Sequence, residues 1–394
     1  MKNSGYSLRW HEKISEIPQS AWDEMALPLK TPFLEWEWLN NLETSGSVKG
    51  SVGWQPCHLT VWKGNQLVAA APLYIKTHNY GEFVFDHQWA DLAYRLGIRY
   101  FPKLVGMTPF TPAVGYRFLI ASDEDEWQIT EMMVAAIDRF CINNKLSGCN
   151  FLFVDPEWGE IISQFGFCGW LHYSYIWSNQ NFQSFDDFLR IFSSDQRKNI
   201  KRERRIVEKT GLILKPLMGE EIPHFLYPEI YSFYSSTCDK FYWGSKYLTK
   251  RFFEQLYPNY SHRVLLMVAY RQEDLHHPVG MSFCIRKGEN LYGRYWGATQ
   301  EYNCLHFETC YYKPIEWAIE NGIQMYDPGA GGSHKRRRGF PATPNYSFHR
   351  FYHPRMQAIL NHYIDKINAA TMEEIKAINE DLPFNKQEIQ LNII

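Results

Sequence analysis

The residues best able to do chemistry together lie between Gly293 and Gly339: Arg294, Tyr295, Trp296, His306, Glu308, Asp327, His334, Lys335 and Arg338. Glu308, helped or replaced by His306, is of a type that takes a proton from a reacting amine. Arg294, His334, Lys335 and Arg338 are of types that hold an anion or an oxyanion. Gly329, Gly331 and Gly332 let the backbone approach a ligand closely beside those cations. His306-Phe307-Glu308 has the H-x-E spacing of zinc deaminases, but no P-C-x-x-C follows it, and Cys304 and Cys310 are wrongly spaced, so no metal site is expected. There is no G-x-S-x-G elbow and no cysteine in a protease setting, so no covalent nucleophile stands out. Arg294 sits in LYGRYWG, where burial is costly without a partner such as Asp327, Glu308 or a substrate carboxylate.

Elements must bring these groups together. Strands are expected over 264–271, 278–286, 290–296 and 323–327, with a helix over 305–321 stopped by Gly322. A helix over 193–208 carries Arg197, Lys198, Lys201, Arg202, Arg204 and Arg205, with Ser193 and Gln196 as a capping box. Its apolar side (Ile200, Ile206, Val207) should turn the charge outward, making Arg197, Lys201 and Arg204 candidate phosphate contacts.

The first half shows the same order. After a strand over 6–14 and helices over 18–27 and 33–41, a meander is expected over 57–62, 66–77 and 82–89. A strand over 116–120, a helix over 124–145 and a strand over 150–154 follow. A short helix over 159–165 and a strand over 169–177 complete that half, and an extended segment over 347–351 and a helix over 355–369 complete the second. Asp86 and Trp89 end the third strand, in a place comparable to Arg294, and are candidate substrate contacts. Meander, helix and strand thus occur twice. The polar run 178–184 is the expected hinge, giving domains 1–180 and 181–394, each an α/β unit with mixed sheets.

Composition excludes some classes. The 394 residues carry a formal charge of -2, so any anion site must be local. The eight cysteines are scattered without C-x-x-C. No signal-peptide pattern or transmembrane run is read, which favours a reducing, cytoplasmic setting. Aromatic residues make up 16%, enough for an aromatic groove as well as an aromatic core. With the basic helix, such a groove would also suit a non-catalytic RNA-binding protein.

FDHQWA (85–90), YFPKL (100–104), PFTP (109–112) and GYR (115–117) resemble first-half motifs of the FemAB-like N-acyltransferases. GRYWG (293–297), LHFE (305–308), CYY (310–312), PGAGGSHK (328–335) and RGF (338–340) resemble second-half motifs. The resemblance implies two tandem GNAT-like acyltransferase domains related by the internal repeat. It also implies N-acyl or aminoacyl transfer from an activated carrier to a small-molecule or peptide amine, without a covalent enzyme intermediate. Relatives in the wider Fem superfamily take amino acids from aminoacyl-tRNA, and other GNAT enzymes use acyl-CoA. Either carrier is a co-substrate here, and no tightly bound cofactor is expected. The R-x-x-G-x-G/A pyrophosphate loop of acetyl-CoA enzymes is absent.

Overall fold

The fold is that of a computed structural model, which describes residues 5–240 and 246–385. It divides into two compact units. One holds the chain up to Tyr173 with Tyr247–Phe252 and Pro344–Glu373; the other holds Ser174–Lys246, Phe253–Thr343 and the chain from Glu374. The expected division at 180/181 therefore misses a return: Pro344–Glu373 belongs to the first unit. The reason is strand pairing, since Ala342–Phe351 lies antiparallel to Gly148–Phe151, from Phe348↔Phe151 to Phe351↔Gly148.

The second unit is built on a six-stranded sheet. Its order is Trp177–Ser178, Met325–Asp327, Asn290–Ala298, Asp274–Lys287, Val264–Arg271 and Leu212–Met218. Val264–Arg271 (VLLMVAYR) is apolar on both faces and almost wholly buried, as an interior strand must be. Gly288, at φ +54°, closes the next hairpin between Lys287 and Asn290. Asn290–Ala298 and Met325–Asp327 pair in parallel, and a helical segment from Leu305 to Glu320 makes the crossover between them.

The first unit repeats this scheme. Lys103–Gly106 and Gly148–Phe151 pair in parallel, joined by the helix Glu126–Asn143, whose Asp125 side chain caps the Gln128 N–H. Ile129, Met133, Ala136 and Ile137 form its buried face at helical spacing.

Two expectations need correction. The single strand 66–77 is two strands, Gln66–Ala71 and Leu73–Lys76, which join different sheets across Pro72. Proline cannot donate to a ladder, so the break falls there. The segment 82–89 is not a strand: Asp86 precedes the helix His87–Arg95, which buries Trp89 and Ala93 at i, i+4. The strand Leu212–Met218 and the helix Leu226–Cys238 were not foreseen.

In the first unit, Lys103 Nζ donates to Glu82 at 2.8 Å and Asp86 at 2.5 Å, all three side chains buried. Burial pushes the Asp86 carboxyl up, but Lys103, Tyr100 and Asn79 outweigh it and hold it below its ordinary value. Lys103→Met leaves two buried carboxylates without their shared cation. It should destabilise the protein by about 3–5 kcal/mol in urea titrations; an unchanged midpoint would show the network to be energetically idle.

Candidate active site

The parallel pair is short. It runs from Asn290↔Met325 to Tyr292↔Asp327, after which Asn290–Ala298 continues while its partner ends. Gly293 stands where the two diverge: a Cβ there would meet Tyr326 Oη at 2.8 Å and Pro328 Cα at 3.3 Å. On the other side of the strand the register slips, with Phe283 opposite Tyr295 and Cys284 opposite Gly293. Arg294 is thus the extra residue of a β-bulge, a device that re-aims a side chain. Its charge acts on Asp327 and Lys335. Tyr295 packs among Tyr234, Phe253 and Phe283. The Trp296 carbonyl accepts a hydrogen bond from Thr237 Oγ1 at 2.6 Å.

The crossover helix is irregular for a chemical reason. Pro314 has no N–H for the Cys310 carbonyl, and its ring would crowd that carbonyl in an α-helix. The helix widens to a π-turn over Glu308–Tyr312, with the Lys313 N–H reaching back to Glu308 O. Two released carbonyls find other donors: Ser282 Oγ reaches Thr309 O at 2.7 Å and Tyr326 Oη reaches Cys310 O at 2.6 Å.

The wider turn fans three side chains outward. Glu308 accepts from Arg204 Nε and Nη2, at 2.9–3.2 Å, and Arg204 also bridges to Glu316. Arg204 lies on the Phe185 ring at 4.4 Å. Tyr312 donates to Glu203, which also takes a two-pronged bond from Arg338 Nη2 at 2.9 Å. Arg338 in turn lies 3.4 Å over Phe307. Tyr311 Oη meets His334 Nε2 at 2.8 Å.

These contacts revise several roles. Arg204 faces inward onto two carboxylates, which argues against a phosphate contact. Both Glu308 oxygens are held by that guanidinium, which argues against a free base, although burial raises its carboxyl above the ordinary value. Arg338 neutralises buried Glu203 rather than facing a substrate. Asp86 is 1% exposed and fully committed to Lys103, Tyr100 and Asn79. Trp89 belongs to an apolar cluster with Phe351, Met356 and Leu360. Neither has the exposure of a substrate contact. Arg197 is half-buried and Lys201 exposed, the latter 3.7 Å from Asp186.

What does come together is smaller. His306 lies against Trp296, with ring centroids 4.8 Å apart, and is 5.7 Å from His334. Burial, reinforced by His334, Arg338 and Lys335, pushes His306 down to about 3, so it is neutral at pH 7. Lys335 is buried and gives two protons to Gly329 O (2.6 Å) and Ala330 O (3.2 Å). An ammonium has three. Burial lowers its pKa to about 8 despite the opposing pull of Asp327. Burial raises Asp327, which accepts from the Gly329 N–H at 2.8 Å. Among the described residues no group of three His, Cys, Asp or Glu could hold a metal ion.

Sequence reasoning missed Glu203, Tyr311, Ser282 and Tyr326. Pro314 was the legible signal, since an imino acid within a helical pattern forces the carbonyl question. Arg204→Met should cost about 3 kcal/mol in chemical denaturation, because Glu308 loses its cation. Lys201→Met, on the exposed face, should cost under about 0.5 kcal/mol. Equal effects would mean that Arg204 does not hold Glu308 as described.

A family model described as peptidoglycan biosynthesis/recognition, FemAB-like, matches residues 13–386. No curated protein sequence matches. Among solved structures, FemX superposes with a TM-score of 0.52 at 12% identity, covering 90% of this chain and 99% of its own. L-PGS from Bacillus licheniformis gives 0.50 at 10%, covering 85% and 98%. The C-terminal domain of a lysylphosphatidylglycerol synthetase from Agrobacterium fabrum gives 0.52 at 8%, covering 91% and 98%. At such identities these likenesses speak for the fold alone. The family model spans nearly all of the sequence, and the chain belongs to the FemAB-like family.

Proposed function

We propose that the protein moves an aminoacyl group from aminoacyl-tRNA to the amine of a peptidoglycan-type peptide, at the forked strands of its second unit. The observation that carries this is the set at the fork: bulged Arg294, buried Lys335 and neutral His306, with no ionisable thiol beside them. Cys284 is buried and pushed up to about 12, and burial likewise raises Cys310 and Cys304. These thiols stay protonated, which favours direct transfer over an acyl-cysteine intermediate.

In this reading the amine nitrogen attacks the ester carbonyl carbon. A C–N bond forms, the carbonyl π pair moves to oxygen, and Lys335 and Arg294 stabilise that oxyanion. Neutral His306, lowered to about 3, is too weak a base to keep a proton, and it accepts only a hydrogen bond from the ammonium of the tetrahedral species. The C–O bond then breaks, and the proton passes to the departing ribose oxygen. Holding donor and acceptor together supplies much of the acceleration.

The family's peptidoglycan description supports the acceptor class. The aminoacyl-tRNA used by the wider Fem superfamily supports the donor, as does the helix Ser194–Glu208. With Arg204 turned inward, that helix still exposes Lys198, Lys201, Arg202 and Arg205. Such a face suits nucleic-acid phosphates.

Purified protein, offered charged tRNA or acyl-CoA with peptide amines, should form product from the tRNA and lose it on RNase treatment. Product from acyl-CoA alone would overturn the donor. A K198E/R202E/R205E variant should raise the donor KM at least tenfold and flatten its salt dependence. The pH profile has a definite sign. Lys335 stabilises the oxyanion only when protonated, so kcat should fall as pH climbs through about 8, where Lys335 loses its proton. A kcat that does not fall between pH 7 and 9 would remove Lys335 from the oxyanion site.

A further inference from the structure

Tyr311 is 3% exposed, and burial keeps its hydroxyl protonated. A buried O–H without an acceptor is costly. Among the described residues the acceptor in reach is His334 Nε2, at 2.8 Å. A hydroxyl that donates to Nε2 requires that nitrogen to carry a lone pair. Burial, with the charges of Arg338 and Lys335, lowers the His334 pKa, so the ring is neutral near pH 7. Its one proton then sits on Nδ1.

The ring has little freedom to turn. Gly332, at φ +84°, lies so close that a Cβ would meet His334 Cε1 at 2.8 Å. The rings of His306, Phe307 and Tyr311 surround it at 5.6–5.9 Å between centroids. Its backbone carbonyl accepts from Arg338 Nη1 at 2.9 Å. The π-turn fixes Tyr311 in its place through Ser282 and Tyr326.

We propose that Tyr311 is a positioning residue that fixes His334 as its Nδ1–H tautomer, making His334 a neutral hydrogen-bond donor to the carbonyl oxygen of the transferred group. This deepens the acyl-transfer reading and rests on it for the identity of the acceptor. The half-buried His334 presents Nδ1–H, while neutral His306 beside it is a hydrogen-bond acceptor. Two adjacent imidazoles thereby hold opposite roles, one giving a hydrogen bond and one accepting one.

The tautomer can be read without any substrate. Long-range 1H–15N spectra of [15N]histidine-labelled protein at pH 7, assigned by comparison with His334→Asn, should show the Nδ1–H form. Tyr311→Phe should shift His334 toward Nε2–H. An Nε2–H or imidazolium ring in the wild type overturns the proposal, whatever reaction the protein performs. Where transfer is measured, His334→Asn places an amide N–H near Nδ1, and His334→Gln places one near Nε2. Asn should keep kcat within about tenfold, and Gln should lower it roughly a hundredfold, the scale for loss of one oxyanion donor, with the donor KM little changed. The reverse order also overturns it. Absence of transfer from any donor, with the Nδ1–H form observed, would count against the acyl-transfer reading and leave the tautomer assignment standing.

Discussion

Pro314 cannot donate a hydrogen bond, and the site of the second unit is arranged around that fact. The crossover helix opens into a π-turn to keep the proline ring off the Cys310 carbonyl. The opening leaves two buried carbonyls, and Ser282 and Tyr326 satisfy them from neighbouring strands. Because the extra residue falls between Glu308 and Tyr312, the side chains there take directions that an α-helix would not give them. Glu308 meets Arg204, Tyr312 meets Glu203 and Tyr311 meets His334. A defect in backbone bonding thus becomes three separate side-chain attachments. Two lead to the helix Ser194–Glu208 and one to the loop that carries His334.

Two of these attachments end on adjacent residues of one helix. Glu203 and Arg204 have opposite charges, and each meets its complement inside the unit. A buried charge without a partner would be costly, which explains why Arg338 and Glu308 are spoken for. This divides the helix Ser194–Glu208 into two faces. Arg204 and Glu203 hold the site together, while Lys198, Lys201, Arg202 and Arg205 remain at the surface. The positive run in the sequence is therefore two things at once. Only the surface part is suited to a polyanion.

The elements were legible where periodicity was strong. The helix Glu126–Asn143, the meander Val264–Ala298 and the parallel strands after each helix followed from apolar spacing and glycine turns. The internal repeat followed from their order. The segment around Asp86 did not, because F-V-F-D-H-Q-W alternates like a strand while Trp89 and Ala93 are spaced like a helix. Roles of charged residues were the least legible. Glu308 and Arg204 are 104 positions apart, and nothing local announces that they are partners. Residue type and position suggested a base and a phosphate contact; tertiary pairing made them a clamp. Tyr311, by contrast, went unnoticed because its importance lies in where its hydroxyl proton goes.

The repeat also bears on why the chemistry belongs in the second unit. Both units contain a parallel pair that ends early, at Gly106 in the first and at Tyr292 in the second. In the first unit the chain itself continues the pairing. Tyr116 bonds to Phe153 O through its N–H at 3.0 Å, and its own carbonyl accepts from Asp155 N at 2.8 Å. Its ring lies so near Gly106 that a Cβ there would meet Tyr116 Oη at 2.3 Å. The fork is filled, and the nearby Glu82 and Asp86 are both bonded to Lys103. In the second unit the strand end passes instead into Pro328 and a glycine loop held by Lys335. There the groups beside the fork include a lysine with a proton still to give and two neutral imidazoles. One unit has used its fork for stability, and the other keeps polar groups at the same place in a state able to react.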